Sequence, residues 1–231
     1  MRAALVLIAA ALGLVLPRYF GQERAFASSP FSGLFSVVPY ADLRPHLYWA
    51  AFKLVNYGLI PFLCIKLVLR SNVREHGVRW VREPRVWLLY TAMVACVVPL
   101  AYAASMTDAF LRTYPKYSGA GDSWEQFLLW EVAYGFQFLM LEFFFRGFLI
   151  FALARYIGSL AIFVMVVPYA MIHFGKPLAE CLGSILAGAA LGTIALRTGS
   201  IWGGVFVHCA VAWSMDCFAL AQTGKLEALL R

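Results

Sequence analysis

Long apolar stretches recur along the 231-residue chain and alternate with short polar segments. A helix needs roughly 20 apolar residues to cross the hydrocarbon core of a bilayer. Candidate membrane helices lie at 3–16, 46–69, 86–107, 125–153, 158–174, 178–196 and 200–222. This pattern predicts an all-α fold, a polytopic transmembrane bundle of about seven helices that forms a single integral membrane domain over residues 1–231.

The composition supports a membrane protein. Hydrophobic residues make up 62% of the chain and charged residues only 13%, which is unusual for a soluble domain. The net charge of +7 is compatible with nucleic-acid binding, but basic residues beside apolar spans more commonly set membrane orientation. We therefore expect the lipid bilayer as a partner and no nucleic acid.

The basic residues also predict an orientation. Five arginines lie in the short loop 70–85, and short Arg-rich loops stay cytoplasmic. The chain is then a multi-pass protein with a cytoplasmic N-terminus, in the inner membrane if it is bacterial. The first segment resembles a signal peptide, with Ala25-Phe26-Ala27 as a cleavage-like site, but Arg18, Glu23 and Arg24 favour a retained helix.

Ionisable residues inside apolar spans are the candidates for chemistry, because they are costly there and usually face a cavity or the bundle interior. The strongest candidates are Glu142, Arg146, His173, Glu180 and His208, and a second group consists of Glu131 and Asp216. Glu142 and Arg146 are four residues apart and can pair on one helix face. Such a pair would also serve simply to neutralise two buried charges.

Counting residues from the turns predicts which of these side chains meet. Glu142 is 15 residues before Ile157 and His173 is 16 after it, so an antiparallel helix pair places both at nearly equal depth. Glu180, after the next turn, lies close to the level of His173. The same counting places His208 about 9 Å nearer the cytoplasm than Glu142.

Three segments resemble the motifs of a known family in order and spacing. They are "EFFFRG" at 142–147, "YAMIHFGKP" at 169–177 and "GSIWGGVFVHCAVA" at 199–212. They are similar to the three motifs of the CAAX protease and bacteriocin-processing (CPBP) family of intramembrane endopeptidases. The resemblance covers a family-like catalytic core at about 120–220.

The motifs also depart from the family pattern. Leu141 stands where the family commonly has a first glutamate, and Ala212 replaces an Asn or Asp. Tyr169 replaces the phenylalanine of F-x-x-x-H, which is a conservative aromatic change. The resemblance implies that the motif glutamates and the second-motif His activate water, while the third-motif His and Asn support the oxyanion. Asp216 is an imperfect substitute for the missing Asn, since it lies about 80° away around the helix from His208.

The predicted function is an intramembrane endopeptidase that acts on a membrane-associated or lipid-linked protein or peptide. Glu142 would deprotonate a water that His173 orients, alone or with help from Glu180, while Arg146 would orient Glu142 and His208 would stabilise the oxyanion. We expect no cofactor. A zinc ion held by Glu142, His173 and His208 is the alternative, although the chain has no H-E-x-x-H spacing.

Two other classes of function stay open. A non-catalytic membrane scaffold or immunity protein with the same fold would explain Leu141 and Ala212. A transporter would more commonly show inverted repeats or paired broken helices, which the sequence does not display. The four retained residues Glu142, Arg146, His173 and His208 favour the protease.

Overall fold

A computed structural model describes residues 1–230, which are mostly helical and contain no β-strand. The helices are α1 (Arg2–Tyr19), α2 (Arg44–Leu63), α3 (Pro84–Ser105), α4 (Asp108–Leu111), α5 (Trp124–Glu142), α6 (Phe151–Ile157), α7 (Leu160–Met171), α8 (Leu178–Thr198), α9 (Trp202–Gln222) and α10 (Lys225–Leu230). Short 3₁₀ turns lie at Glu23–Ala25, Ser32–Phe35, Val73–Glu75 and Ser118–Gly121. Two stretches, Cys64–Leu69 and Phe143–Ile150, are π-helical.

Six helical stretches are long and apolar enough to cross a membrane. They are Arg2–Tyr19, Arg44–Leu69, Pro84–Ser105, Trp124–Ile157, Leu178–Thr198 and Trp202–Gln222. The prediction of an all-α membrane bundle is confirmed. The remaining predicted segment, 158–174, contains the shorter helix α7, and its last apolar residues lie in a turn that includes Gly175 at φ +91°.

The central element is the 34-residue stretch Trp124–Ile157, which is the most buried of the six. It consists of α5, the π-helical stretch Phe143–Ile150 and α6, and it packs against α2, α7 and α9. Every residue from Leu141 to Ile150 is buried, including the two charged ones. The first family motif therefore lies in the middle of the bundle.

Connecting segments cover one end of the bundle, near the start of α2. The Tyr117 hydroxyl donates to Asp42 at 2.7 Å, and Lys116 forms an ion pair with Glu23 at 3.1 Å. The Tyr48 hydroxyl donates to the carbonyl of Phe20 at 2.5 Å. The segments that precede α2 and α5 thus pack on each other over this end.

The loop between the Cys64–Leu69 stretch and α3 covers the opposite end. His76 is fully buried there, and its Nδ1 donates to the carbonyl of Gly147 at 3.1 Å. Burial lowers the pKa of His76, so its imidazole is neutral at neutral pH. A Cβ at Gly147 would lie 2.7 Å from the His76 carbonyl oxygen, so the glycine of the first motif permits this close packing.

Candidate active site

Glu142 and Arg146 form a completely buried ion pair. Glu142 is the last residue of α5 and Arg146 lies one turn later in the π-helical stretch, with Nη1 2.9 Å from Oε1. Both side chains are essentially inaccessible to solvent. Two unpaired charges at this position would be very costly, so each stabilises the other. The pairing predicted from their four-residue spacing is confirmed.

His208 of α9 contacts the same carboxylate oxygen. Its Nδ1 lies 2.9 Å from Glu142 Oε1 and 3.1 Å from the carbonyl of Gly204. The 9 Å difference in depth expected from counting is therefore wrong. The π-helical stretch Phe143–Ile150 accounts for part of this difference, because its wider turns give a shorter rise per residue than an α-helix.

Gly204 permits the close approach of α9 to Glu142. A Cβ at this position would lie only 2.1 Å from Glu142 Oε2 and 2.6 Å from its Cδ. Among residues 1–230, Oε2 has no hydrogen-bond partner although it is buried. The carboxylate therefore has one oxygen shared by the Arg146 guanidinium and the His208 imidazole, and one oxygen with free lone pairs.

Tyr169 connects the two histidines and was not among the predicted site residues. Its hydroxyl lies 2.8 Å from His208 Nε2, and its carbonyl accepts from His173 Nδ1 at 2.9 Å. The Arg146 guanidinium packs 4.1 Å from the centre of the Tyr169 ring. The available signal was the tyrosine in the F-x-x-x-H motif, because a phenol adds a hydroxyl that phenylalanine lacks. We call Glu142, Arg146, His208 and Tyr169 the Glu142 cluster.

His173 lies in the turn after α7, beside this cluster. In the part of the chain that the structure covers, no hydrogen bond or ion pair joins it to Glu142 directly. Its ring lies 4.9 Å from that of Tyr169. Because a carbonyl only accepts, Nδ1 must carry the proton, and in the neutral ring Nε2 then has a free lone pair. His173 thus presents a base to the space next to the cluster.

Glu180 lies near His173 but belongs to a different group of contacts. Its carboxylate pairs with Lys176 at 2.6 Å and accepts from the Tyr114 hydroxyl at 2.9 Å. Lys176 follows His173 by three residues, and its backbone nitrogen donates to the His173 carbonyl at 3.1 Å. Glu180 therefore borders the His173 side of the site without contacting Glu142.

The second group of candidates lies in another part of the bundle. Asp216 is fully buried and accepts from Trp130 Nε1 at 2.9 Å and from the backbone nitrogen of Lys116 at 3.0 Å. Glu131 is a close neighbour of Asp216 and has no hydrogen-bond donor among residues 1–230. Asp216 therefore does not replace the polar residue missing at Ala212.

The donor geometry does not favour a metal. Within residues 1–230, no three His, Cys, Asp or Glu side chains are arranged to hold a metal ion. The oxygen of Glu142 that faces His208 is also paired with the Arg146 guanidinium, whose positive charge would oppose a cation there. Glu142, His173 and His208 are therefore not arranged as the ligands of a zinc ion.

Comparison with known proteins identifies the family of this region. Residues 123–214 match the family described as Rce1-like, type II CAAX prenyl endopeptidase Rce1-like. Neither the curated proteins nor the solved structures contain a match. The matched range contains all five of the strongest candidate residues. The resemblance carried by the three motifs is therefore confirmed over residues 123–214, which are similar to the Rce1-like CAAX prenyl endopeptidases.

Proposed function

We propose that the protein is an intramembrane endopeptidase that hydrolyses a peptide bond of a membrane-associated or lipid-linked substrate. The observation that carries this proposal is the contact between Glu142 and His208 at 2.9 Å inside the bundle, with Tyr169 joining His208 to His173. Buried ionisable groups from four helical segments are a costly arrangement that packing alone does not require. The match of residues 123–214 to this endopeptidase family supports protease chemistry for such a site.

In the proposed mechanism Glu142 is the proton acceptor. Its Oε2 has free lone pairs, whereas Oε1 is already shared by Arg146 and His208. A water oxygen attacks the carbonyl carbon of the scissile peptide while one water proton moves to Oε2. That proton is then delivered to the leaving nitrogen as the C–N bond breaks, which gives a carboxylic acid and an amine.

His173 orients the water in this proposal. Its Nδ1–H is held by the Tyr169 carbonyl, so the lone pair of Nε2 is available to accept from the water. The direct carbonyl contact fixes the ring and its tautomer. The ion pair between Lys176 and Glu180, at 2.6 Å, connects this turn to the start of α8 and stabilises it.

His208 and Tyr169 together stabilise the oxyanion in this proposal, His208 by positioning the Tyr169 hydroxyl. Nδ1 of His208 carries a proton because its neighbours, Glu142 and the Gly204 carbonyl, are acceptors. In this proposal Nε2 is also protonated and donates to the Tyr169 hydroxyl oxygen at 2.8 Å, which leaves the phenolic hydrogen free to donate to the oxyanion. Donors fixed in advance stabilise the charge that develops on the carbonyl oxygen.

We expect Tyr169→Phe to lower kcat about 100-fold with little change in KM, because one fixed oxyanion donor is lost. Ala212 is buried one turn after His208, so an amide at that position reaches the same side of α9. Adding Ala212→Asn to Tyr169→Phe should therefore restore kcat about tenfold. The measurement is peptide turnover by purified protein in lipid nanodiscs.

Tyr134→Phe is the matched control for this substitution. Tyr134 is also a buried tyrosine of the bundle, and its hydroxyl makes no hydrogen bond to residues 1–230. Its loss should leave kcat within about twofold. Unchanged kcat in Tyr169→Phe would show that the hydroxyl takes no part in turnover.

An apolar groove beside Glu142 suits a lipid chain. The groove has a volume of about 540 Å³ and runs between α2, α5 and the start of α9. Met140 and Phe143, on either side of Glu142 in the chain, contribute to its wall. Burial of a hydrocarbon chain is favourable by about 0.8 kcal/mol for each methylene. The groove would thus hold the lipid of a lipid-linked peptide next to the proposed base.

We expect Leu59→Trp to raise KM for a prenylated peptide about tenfold with little change in kcat. Leu59 lines the groove, and the larger indole would exclude part of the hydrocarbon, at a cost of about 1.4 kcal/mol. The control is Leu88→Trp, which changes a lipid-facing leucine of α3 far from the groove. The same KM increase in both variants would show that the groove does not bind the lipid.

A comparison of membranes tests the proposed function without a chosen substrate. Membranes that contain the wild-type protein are compared with membranes that contain Glu142→Ala, and mass spectrometry identifies peptides whose termini shift. We expect new termini only with the wild-type protein. Identical termini in the two samples would overturn the protease proposal in favour of a scaffold.

A further inference from the structure

Lys53 lies on the interior face of a membrane-spanning helix. Trp49, Lys53 and Tyr57 follow one another at four-residue intervals in α2 and therefore share a face. Trp49 and Tyr57 are both buried, and the Tyr57 ring packs 4.8 Å from that of Phe144, two residues after Glu142. The ammonium group of Lys53 thus faces the bundle and not the lipid.

The side-chain nitrogen of Lys53 has no carboxylate partner of its own in the described part of the chain. Its Nζ lies 3.9 Å from the centre of the Trp49 ring and forms no ion pair with residues 1–230. The charged groups that act on it are Lys116, Lys176 and Glu23. Lys116 is paired with Glu23 at 3.1 Å and lies 5.4 Å from the same Trp49 ring.

Of these three lysines, only Lys53 has no ion-pair partner among residues 1–230. Lys176 pairs with Glu180 at 2.6 Å, and Lys116 pairs with Glu23 at 3.1 Å. A charged side chain inside a membrane span is costly, and it is normally paired or exposed to a cavity. A single uncompensated ammonium is matched in charge by one monovalent anion.

The lysines border the proposed active site. Lys176 lies in the same turn as His173, and the two side chains are close enough for the lysine charge to act on the imidazole. Lys53 lies one helical turn before Tyr57, which packs on the π-helical stretch that follows Glu142. An anion bound by Lys53 would thus lie on the His173 side of the Glu142 cluster.

The position of Lys53 favours an anion that belongs to the substrate peptide. Lys53 lies about 13 Å along the axis from the start of α2, and the segments that carry Glu23 and Lys116 pack over that end of the bundle. These segments separate Lys53 from lipid headgroups at that surface. Lys176, whose backbone contacts His173, is one of the groups whose charge acts on Lys53, so a peptide bound at His173 would lie on the Lys53 side of the bundle.

We propose that Lys53, together with Lys116 and Lys176, binds a carboxylate of the substrate peptide. This inference rests on the proposed endopeptidase function and names a chemical group that its substrate carries. The carboxylate is either the C-terminal α-carboxylate or an acidic side chain near the scissile bond. Replacement of the carboxylate by an amide removes the charge and leaves the ammonium without its partner.

The test measures the binding of a defined prenylated peptide to full-length protein in neutral-lipid nanodiscs. The probe ends in a prenylated cysteine, two aliphatic residues and one further residue, and it is made with a free carboxylate and as a carboxamide. With the inactive variant Glu142→Gln, we expect the carboxylate to bind about tenfold more tightly than the amide. Lys53→Gln should remove this preference, and Lys53→Arg should keep it.

Lys66→Gln is the matched control, because Lys66 lies in the same membrane span and is exposed. It should leave the preference unchanged. Absence of binding, equal affinity of the two peptides, or a preference that survives Lys53→Gln would overturn the proposal. A preference that appears only in nanodiscs with anionic lipid would overturn it in favour of a lipid phosphate.

Two further arms separate the possible outcomes. In the first arm, an aspartate is added to the carboxamide peptide. If this peptide binds tightly, the result supports the lysine site and shows that the carboxylate belongs to a side chain. Turnover by the wild-type protein is measured in the same nanodiscs by mass spectrometry. A carboxylate preference without any cleavage would contradict the endopeptidase function while supporting the lysine site.

Discussion

Glu142→Gln should abolish peptide cleavage, with a loss in kcat of at least about 1,000-fold. The amide has the same shape as the carboxylate but cannot accept the water proton, and general-base catalysis contributes about 10²–10⁴-fold. The substitution also leaves the buried Arg146 guanidinium without its partner, which typically costs about 3–5 kcal/mol of folding free energy. Kinetics on purified, monodisperse protein and thermal unfolding measure the two effects separately.

Arg146→Met combined with Glu142→Gln separates stability from catalysis. The double variant removes both buried charges, so it should be more stable than Glu142→Gln and remain inactive. Glu131→Gln is the control for a buried carboxylate of the same helix, and it should keep its activity, since Glu131 neighbours Asp216 and not His208. Substantial turnover by Glu142→Gln would rule out Glu142 as the base.

The apolar pattern predicted the bundle because each membrane helix must be long and hydrophobic. It did not predict where α7 ends, since the segment 158–174 stays largely apolar after the helix stops at Met171. The turn there depends on Gly175, whose positive φ is unfavourable for other residues, and on Pro177. A hydropathy profile depends on side-chain polarity and contains no information about such backbone conformations.

The candidate residues were found by their charge inside apolar spans, but their contacts were only partly predictable. A rise of 1.5 Å per residue did not predict the contact between Glu142 and His208, and the π-helical stretch that begins directly after Glu142 explains part of the difference. In the sequence, Tyr169 is only a conservative replacement of the phenylalanine in the second motif. Its hydroxyl became informative only when the fold placed it 2.8 Å from His208.

Gly204→Ala should lower kcat about 100-fold without removing any functional group. The added Cβ would lie 2.1 Å from Glu142 Oε2, well inside van der Waals contact, so either α9 or the carboxylate must move. His208 lies one turn further along α9, and its displacement would break the 2.9 Å contact with Glu142. A misplacement of about 1 Å in an active site typically costs about 100-fold in rate.

A double-mutant cycle tests whether the clash is with Glu142. In the Glu142→Ala background the new methyl group meets no carboxylate, so Gly204→Ala should cost much less stability there than in the wild-type protein. Gly183→Ala, in α8, is the control because its Cβ meets no atom within 4 Å, and it should preserve kcat. Equal destabilisation by Gly204→Ala in both backgrounds would show that Glu142 does not pack against this glycine. The Glu142 carboxylate would then contact another part of α9.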